Sequence, residues 1–126
     1  MKIEYLAGSQ WPLPLVRLFD YREEEVHLLR RVCNDLADGR LQEFAVHDQS
    51  WVKPIAGCRF YWRAASKDTG VLLPKHEEPL VLDYSHDAWR EVEGKLSQFV
   101  EFRPSTFNWL TMEGDVEVLI SMDGKW

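Results

Sequence analysis

The chain has 126 residues, the usual length of one globular domain, so we expect residues 1–126 to fold as a single domain. Hydrophobic residues make up 45% of the chain and charged residues 29%, and both classes are spread along it, which excludes a disordered or low-complexity chain. The formal charge of -6 argues against nonspecific binding to nucleic acid or to an anionic membrane.

Two features of the sequence bear on compartment and cofactors. Residues 2–6 lack the apolar core of a secretion signal, and no apolar run approaches the ~20 residues of a membrane helix. We therefore expect a cytoplasmic protein that is not bound to a membrane. Cys33 and Cys58 lie far apart and form no CxxC pair, so the sequence predicts free thiols, no metal site and no cofactor.

The first predicted elements are a strand and an amphipathic helix. Leu15 to Phe19 form an apolar run that follows two prolines, as is typical of a strand near a sheet edge. From Arg22 to Asp38 the apolar residues recur at helical spacing and fill one half of a helical wheel. Three glutamates in its first turn and Gly39 after its last turn are typical of the two ends of a helix.

The middle of the chain is predicted to contain several strands. Strand-like stretches cover residues 41–47, 58–64, 71–73 and 80–84. In residues 58–64 apolar side chains alternate with two arginines and a tyrosine, a pattern typical of a half-buried antiparallel strand. Turn-forming residues separate the later stretches, so we expect a meander of hairpins.

A second helix and two strands complete the predicted order. Ser85 is a good N-cap, and residues 86–100 place their apolar side chains in one arc of a helical wheel. Residues 107–111 and 116–122 read as two further strands. The order predicts an α+β fold in which two amphipathic helices pack on a mainly antiparallel, curved sheet. A ferredoxin-like core with inserted strands and a partly closed sheet are both compatible with it.

The residues that could support catalysis are loosely spaced. The chain has no glycine-rich phosphate loop, GxSxG elbow or HExxH motif. Several histidines lie near carboxylates, and these side chains bind zinc or transfer protons near neutral pH. The weak candidates for a small hydrolase or metal-dependent enzyme, our alternative hypothesis, are His47, His76, Glu77, Asp83 and His86. They could meet at one sheet edge if the strand ending at His47 lay beside the strand ending near Tyr84.

A second group of candidates interleaves cations with aromatic residues. Arg59, Tyr61 and Arg63 are expected on the outer face of one strand, where such residues can stack bases and neutralise phosphates. The acidic composition and the expected burial of Phe60 and Trp62 favour instead a core strand with a solvated outer face. Single-stranded nucleic-acid binding is therefore our third hypothesis, and a nucleic-acid partner is not expected.

Three of the six tryptophans, Trp11, Trp51 and Trp126, lie outside the periodic core pattern. Trp11 and Trp51 are both in connectors that contain proline. If both indoles are exposed, they form an apolar patch that a homodimer or a protein partner would cover, and if they fold inward they cap the core. The leading hypothesis is a small, soluble, non-enzymatic binding or protein-interaction domain. Its candidate binding residues are Trp11, Trp51, Arg59, Tyr61 and Arg63.

Overall fold

The computed structural model describes residues 1–7, 14–102, 107–111 and 113–121. These residues form nine strands, two long helices and two single-turn 3-10 helices. The strands are β1 (Lys2–Leu6), β2 (Leu15–Phe19), β3 (Glu43–Ala45), β4 (Lys53–Pro54), β5 (Phe60–Ala64), β6 (Gly70–Val71), β7 (Leu80–Tyr84), β8 (Phe107–Thr111) and β9 (Glu117–Ser121). The helices are α1 (Glu23–Ala37) and α2 (His86–Phe102), and the 3-10 helices cover Val46–Asp48 and Ile55–Gly57.

The strands form two mixed sheets. One sheet has the order β4-β1-β2-β9-β8 and the other the order β3-β5-β7-β6, and neither closes among the described strands. β1 pairs with β2 antiparallel, whereas β2 pairs with β9, and β5 with β7, in parallel. The α+β fold with two helices is confirmed, but the prediction of one mainly antiparallel sheet is wrong. The ferredoxin-like wiring stays a prediction that these strand orders do not confirm.

The expected meander of hairpins fails because β7 takes the place beside β5. β5 and β7 pair in register from Phe60 opposite Leu80 to Ala64 opposite Tyr84, and β6 lies on the far side of β7. Both central strands bury alternate large side chains, whereas β6 has two residues, one of them a glycine. The centre of a sheet favours the strands that have the most apolar surface to bury.

β1 and β4 are strands that the sequence analysis did not predict. β1 buries Ile3 completely, and its Ile3 and Tyr5 alternate with the charged Lys2 and Glu4, which is a strand pattern that was overlooked. Glu4 and Arg17 lie opposite each other in β1 and β2, and the Arg17 Nε donates to the Glu4 carboxylate at 2.8 Å. This cross-strand pair of opposite charges stabilises the pairing of β1 with β2. β4 is too short for any periodic signal.

The two helices pack against each other and share one core with both sheets. Both were predicted from their periodicity, and Ser85 caps α2 as expected, because the Ala88 N–H lies 3.3 Å from its Oγ. The rings of Trp62 in β5 and Trp89 in α2 lie 5.3 Å apart, between centroids. The most deeply buried side chains of the helices are those of Val26, Leu29, Cys33, Leu36, Trp89, Val92, Leu96 and Phe99. No helix among the described residues is long and apolar enough to cross a membrane.

The two sheets meet at a close backbone contact between β6 and the turn before β9. The N–H groups of Asp115 and Val116 donate to the Val71 carbonyl at 2.8 and 3.0 Å. A Cβ on Gly70 would overlap the Glu113 backbone, and a Cβ on Gly114 would lie 2.8 Å from the Val71 nitrogen. Both glycines also have a positive φ, +75° and +83°, so only glycine fits this junction without strain.

Replacing either junction glycine should therefore weaken the fold. We expect Gly70→Ala and Gly114→Ala each to lower the free energy of unfolding by ~2–4 kcal/mol, through backbone overlap and left-handed strain. Gly94→Ala is the matched control, because Gly94 lies in α2 and its Cβ would meet no atom within 4 Å. It should stabilise the protein by ~0.5–1 kcal/mol. Urea titration measures the free energy of unfolding of the three variants. Similar changes at Gly70, Gly114 and Gly94 would contradict the close backbone contact.

Candidate functional site

The structure separates the residues that were considered for catalysis. β5 lies between β3 and β7, so the strands that end near His47 and Tyr84 are not neighbours, and the condition for a shared site at one sheet edge is not met. His76 and Glu77 precede β7, whereas His86 follows it at the start of α2. Among the described residues, no group of three or more His, Cys, Asp or Glu side chains could hold a metal ion.

His47 has a structural role at the start of β5. Its Nδ1 accepts the N–H of the fully buried Phe60 at 3.0 Å, and its ring packs edge-on against Tyr61 at 4.9 Å between centroids. A ring nitrogen that accepts a hydrogen bond carries no proton, so in the neutral imidazole the proton is on Nε2. Nε2 lies 3.5 Å from the Asp48 carboxylate. The imidazole thus satisfies a buried backbone donor.

Asp83 is paired with Arg63 across β5 and β7. The Arg63 Nε and Nη2 donate to the two carboxylate oxygens of Asp83 at 2.6 and 2.9 Å, and this hydrogen bonding raises the pKa of Arg63. Tyr61 shares the outer face of β5 with Arg63, as the alternation of residues predicted. Because the guanidinium is already neutralised by Asp83, the face offers less charge to a phosphate backbone than the sequence indicated.

Three of the remaining candidates line one cleft, which has a volume of about 520 Å³. The cleft lies between residues 56–59 and residues 74–80. Its lining includes the predicted Arg59, His76 and Glu77 together with Tyr5, Cys58 and Leu80. It therefore combines apolar walls with a few charged groups, which is the usual composition of a ligand site.

The two rims of the cleft have an unusual backbone conformation. Ala56 and Gly57 on one rim have φ angles of +53° and +69°, and His76 on the other has a φ of +46°. A left-handed conformation costs a residue with a Cβ roughly 1–2 kcal/mol. Among the described residues only three other than glycine have a positive φ, and two of them line this cleft; the third is Asp20. Strained backbone of this kind is frequent at ligand-binding sites.

Arg59 fixes the rim that contains His76. Its Nη2 donates to the carbonyl of Glu77, and its own carbonyl accepts the N–H of Leu80 at 2.9 Å. The turn itself is closed by the Glu78 N–H, which donates to the Lys75 carbonyl at 3.0 Å. Arg59 is therefore a structural tie between β5 and the rim as well as part of the lining.

The two cysteines differ in environment. Cys33 is fully buried in α1, whereas Cys58 is partly exposed and lines the cleft. Burial, with a smaller contribution from the nearby Glu4 carboxylate, raises the pKa of the Cys58 thiol to about 11. Burial also raises the pKa of Cys33. Both thiols are therefore protonated near neutral pH. A cysteine nucleophile acts as the thiolate, so neither thiol is activated for attack.

No protein family model, characterised protein or solved structure matches this chain.

The tryptophan patch is described only in part. Trp51 is partly buried and packs against the core, while Trp11 lies outside the described residues. Exposed apolar surface is found instead at Leu72 and Leu73, whose exposed fractions are 55% and 53%. The sequence analysis placed both leucines in a strand, but β6 ends at Val71. Neighbouring residues of a strand point to opposite faces, so two adjacent leucines cannot both face the core. Together with the proline that follows, this could have indicated that the strand ends before Leu72.

His47 should matter for stability rather than for chemistry. His47→Ala should lower the free energy of unfolding by ~1–3 kcal/mol, because the buried Phe60 N–H loses its acceptor. His47→Asn keeps a side-chain acceptor and should recover part of this loss. His86→Ala, at an exposed position, should change stability by less than ~0.5 kcal/mol. Equal effects at the two histidines in urea titrations would disprove the structural role.

Thiol chemistry should distinguish the two cysteines. In the native protein, labelling of Cys58 should accelerate about tenfold per pH unit between about pH 7 and pH 10, because the thiolate fraction rises towards a pKa of about 11. Cys33 should react only after unfolding. Labelling rates of Cys33→Ser and Cys58→Ser variants assign each reaction. A pH-independent rate at Cys58, or native-state labelling of Cys33, would contradict these environments.

Proposed function

We propose that this chain is a small, single-domain, non-enzymatic binding domain whose ligand occupies the cleft between residues 56–59 and 74–80. The observation that carries the proposal is the left-handed backbone on both rims, at Ala56 and His76, around a cleft of about 520 Å³. Such strain persists only where surrounding contacts hold it, and it is typical of ligand clamps. Here Arg59 provides one of these contacts, through the Glu77 carbonyl.

The chemistry of the lining supports binding over catalysis. A cysteine nucleophile must be a thiolate to attack a substrate. The thiol of Cys58 is protonated near neutral pH because burial raises its pKa to about 11. Tyr5 and Leu80 provide apolar walls that a ligand can cover.

The compartment is part of the same proposal. Cys33 and Cys58 are both free, and free thiols persist in reducing compartments. We therefore infer that the domain works in the cytoplasm.

Chemical-shift mapping with a mixture of small aromatic, aliphatic and charged organic fragments tests the location of the site. The backbone amide signals of residues 56–59 and 75–80 should shift. Those of residues 65–66, 85–87 and 90, which line a second cleft of about 430 Å³, should not. Shifts confined to the second cleft, or no shifts at all, would contradict the proposal. Turnover of ester substrates that is lost in His76→Ala would show an enzyme instead.

A substitution at Ala56 tests whether the strained rim contributes to binding. Ala56→Gly should weaken the binding of the fragments roughly threefold or more, because glycine loosens the preorganised rim. It should not lower the free energy of unfolding, since the left-handed strain at Ala56 is relieved. Asp20→Gly changes the third left-handed residue, which lies outside the cleft, and should leave binding unchanged.

A further inference from the structure

Two exposed leucines beside the cleft indicate the kind of ligand that it takes. Leu72 and Leu73 are the large hydrophobic side chains that stand exposed in the described part of the chain, and they directly precede Pro74, which lines the cleft. Extended residues advance about 3.3 Å each, so both leucines lie within about 10 Å of the rim. A ligand that extends beyond the cleft can therefore cover them.

The backbone that carries these leucines is fixed on both sides. The Leu73 N–H donates to the Asp115 carboxylate at 3.1 Å, and the Asp115 N–H donates to the Val71 carbonyl at 2.8 Å. On the other side the Lys75 carbonyl accepts the Glu78 N–H at 3.0 Å. A surface that is already ordered loses little conformational entropy on binding. The leucine pair is therefore presented as a rigid apolar anchor.

The anchor is small. Two half-exposed leucines offer at most a few hundred Å² of apolar surface. Stable protein interfaces bury roughly 800 Å² on each partner, so the pair by itself is too small to hold two folded copies of this chain together. A short segment of another protein, with one or two apolar side chains, matches it better.

The charges around the anchor favour a basic segment. Glu77 and Glu78 are exposed on the cleft side, and Asp115 is exposed on the other. Two nearby cations, Lys75 and Arg59, offset two of these three carboxylates, so one negative charge remains in excess. The chain as a whole carries a formal charge of -6. Electrostatic attraction therefore favours a cationic partner.

We propose that the ligand is a peptide segment of another protein that carries lysine or arginine next to one or two large apolar residues. Its apolar side chains cover Leu72 and Leu73, and its cationic side chain lies against Glu77 and Glu78 at the rim. The proposal rests on the proposed function, because it takes the cleft as the place of binding.

Three synthetic peptides of equal length test the inference by calorimetry at low and high salt. They alternate lysine with leucine, glutamate with leucine, and lysine with serine. The lysine–leucine peptide should bind roughly tenfold or more tightly than the other two, and its affinity should fall as salt is added. The cleft amides should shift with it.

Protein variants separate the contribution of the apolar contact from that of the negative charge. Changing both Leu72 and Leu73 to serine should weaken the lysine–leucine peptide roughly tenfold. Glu77→Gln combined with Glu78→Gln should weaken it several-fold and reduce the dependence on salt. The control combines Asp38→Asn with Asp87→Asn, which changes the net charge equally near the second cleft and should have little effect. Urea titration of each variant checks that it folds.

Other outcomes would overturn the inference. Equal affinity for the three peptides, or preference for the glutamate peptide, would reject a basic, leucine-anchored partner, while shifts of the cleft amides would still support the proposed function. Self-association of the wild type that is lost in the Leu72→Ser, Leu73→Ser variant would make a second copy the occupant. If no probe shifts the cleft amides, the proposed function fails as well.

Discussion

The parallel pairing of β5 with β7 is the constraint on which the cleft depends. Parallel neighbours cannot be joined by a tight turn, so the chain must return from the end of β5 to the start of β7. Residues 65–79 make this return and contain β6, the exposed leucines and one rim of the cleft. The Leu80 N–H that donates to the Arg59 carbonyl sets the register and places this rim against residues 56–59. The cleft is thus a consequence of strand order.

A second contact keeps the return segment in place. The junction of Gly70 with Gly114 lets the backbones of β6 and the turn before β9 touch, and a polar cluster supports that turn from the other side. The Tyr84 hydroxyl bonds to Thr111 and Glu113, and burial raises the pKa of this phenol. The Thr111 hydroxyl also donates to Glu113 at 2.7 Å. The hydrogen bonds of Asp115 with Val71 and Leu73 thus hold the backbone in the conformation in which Leu72 and Leu73 are exposed.

The sequence predicted the elements whose pattern is local. The apolar arcs of α1 and α2 and the alternation in β5 are determined by which side chains each element buries, and all three are confirmed. Parallel pairing leaves no comparable signal in the same residues, so the mixed sheets were missed. Arg59, His76 and Glu77 were chosen for their chemistry, but their meeting at one cleft depends on strand order. The strain at Ala56 is a property of φ, and its residue type gives no hint of it.

Several departures from local sequence rules lie around the cleft, although Asp20 and the unpaired indole N–H of the buried Trp62 lie outside it. Ala56 takes a conformation that favours glycine, and His76 does the same on the facing rim. Leu72 and Leu73 are exposed although their residue type favours burial. In α1, by contrast, the periodicity, the acidic first turn and the left-handed Gly39 after the last turn agree with the structure. In most folded chains the local preferences of the residues agree with the fold, except at functional sites. Several residues that break these preferences in one place therefore indicate selection for something other than stability. Ligand binding at this cleft is a requirement that would account for all of them.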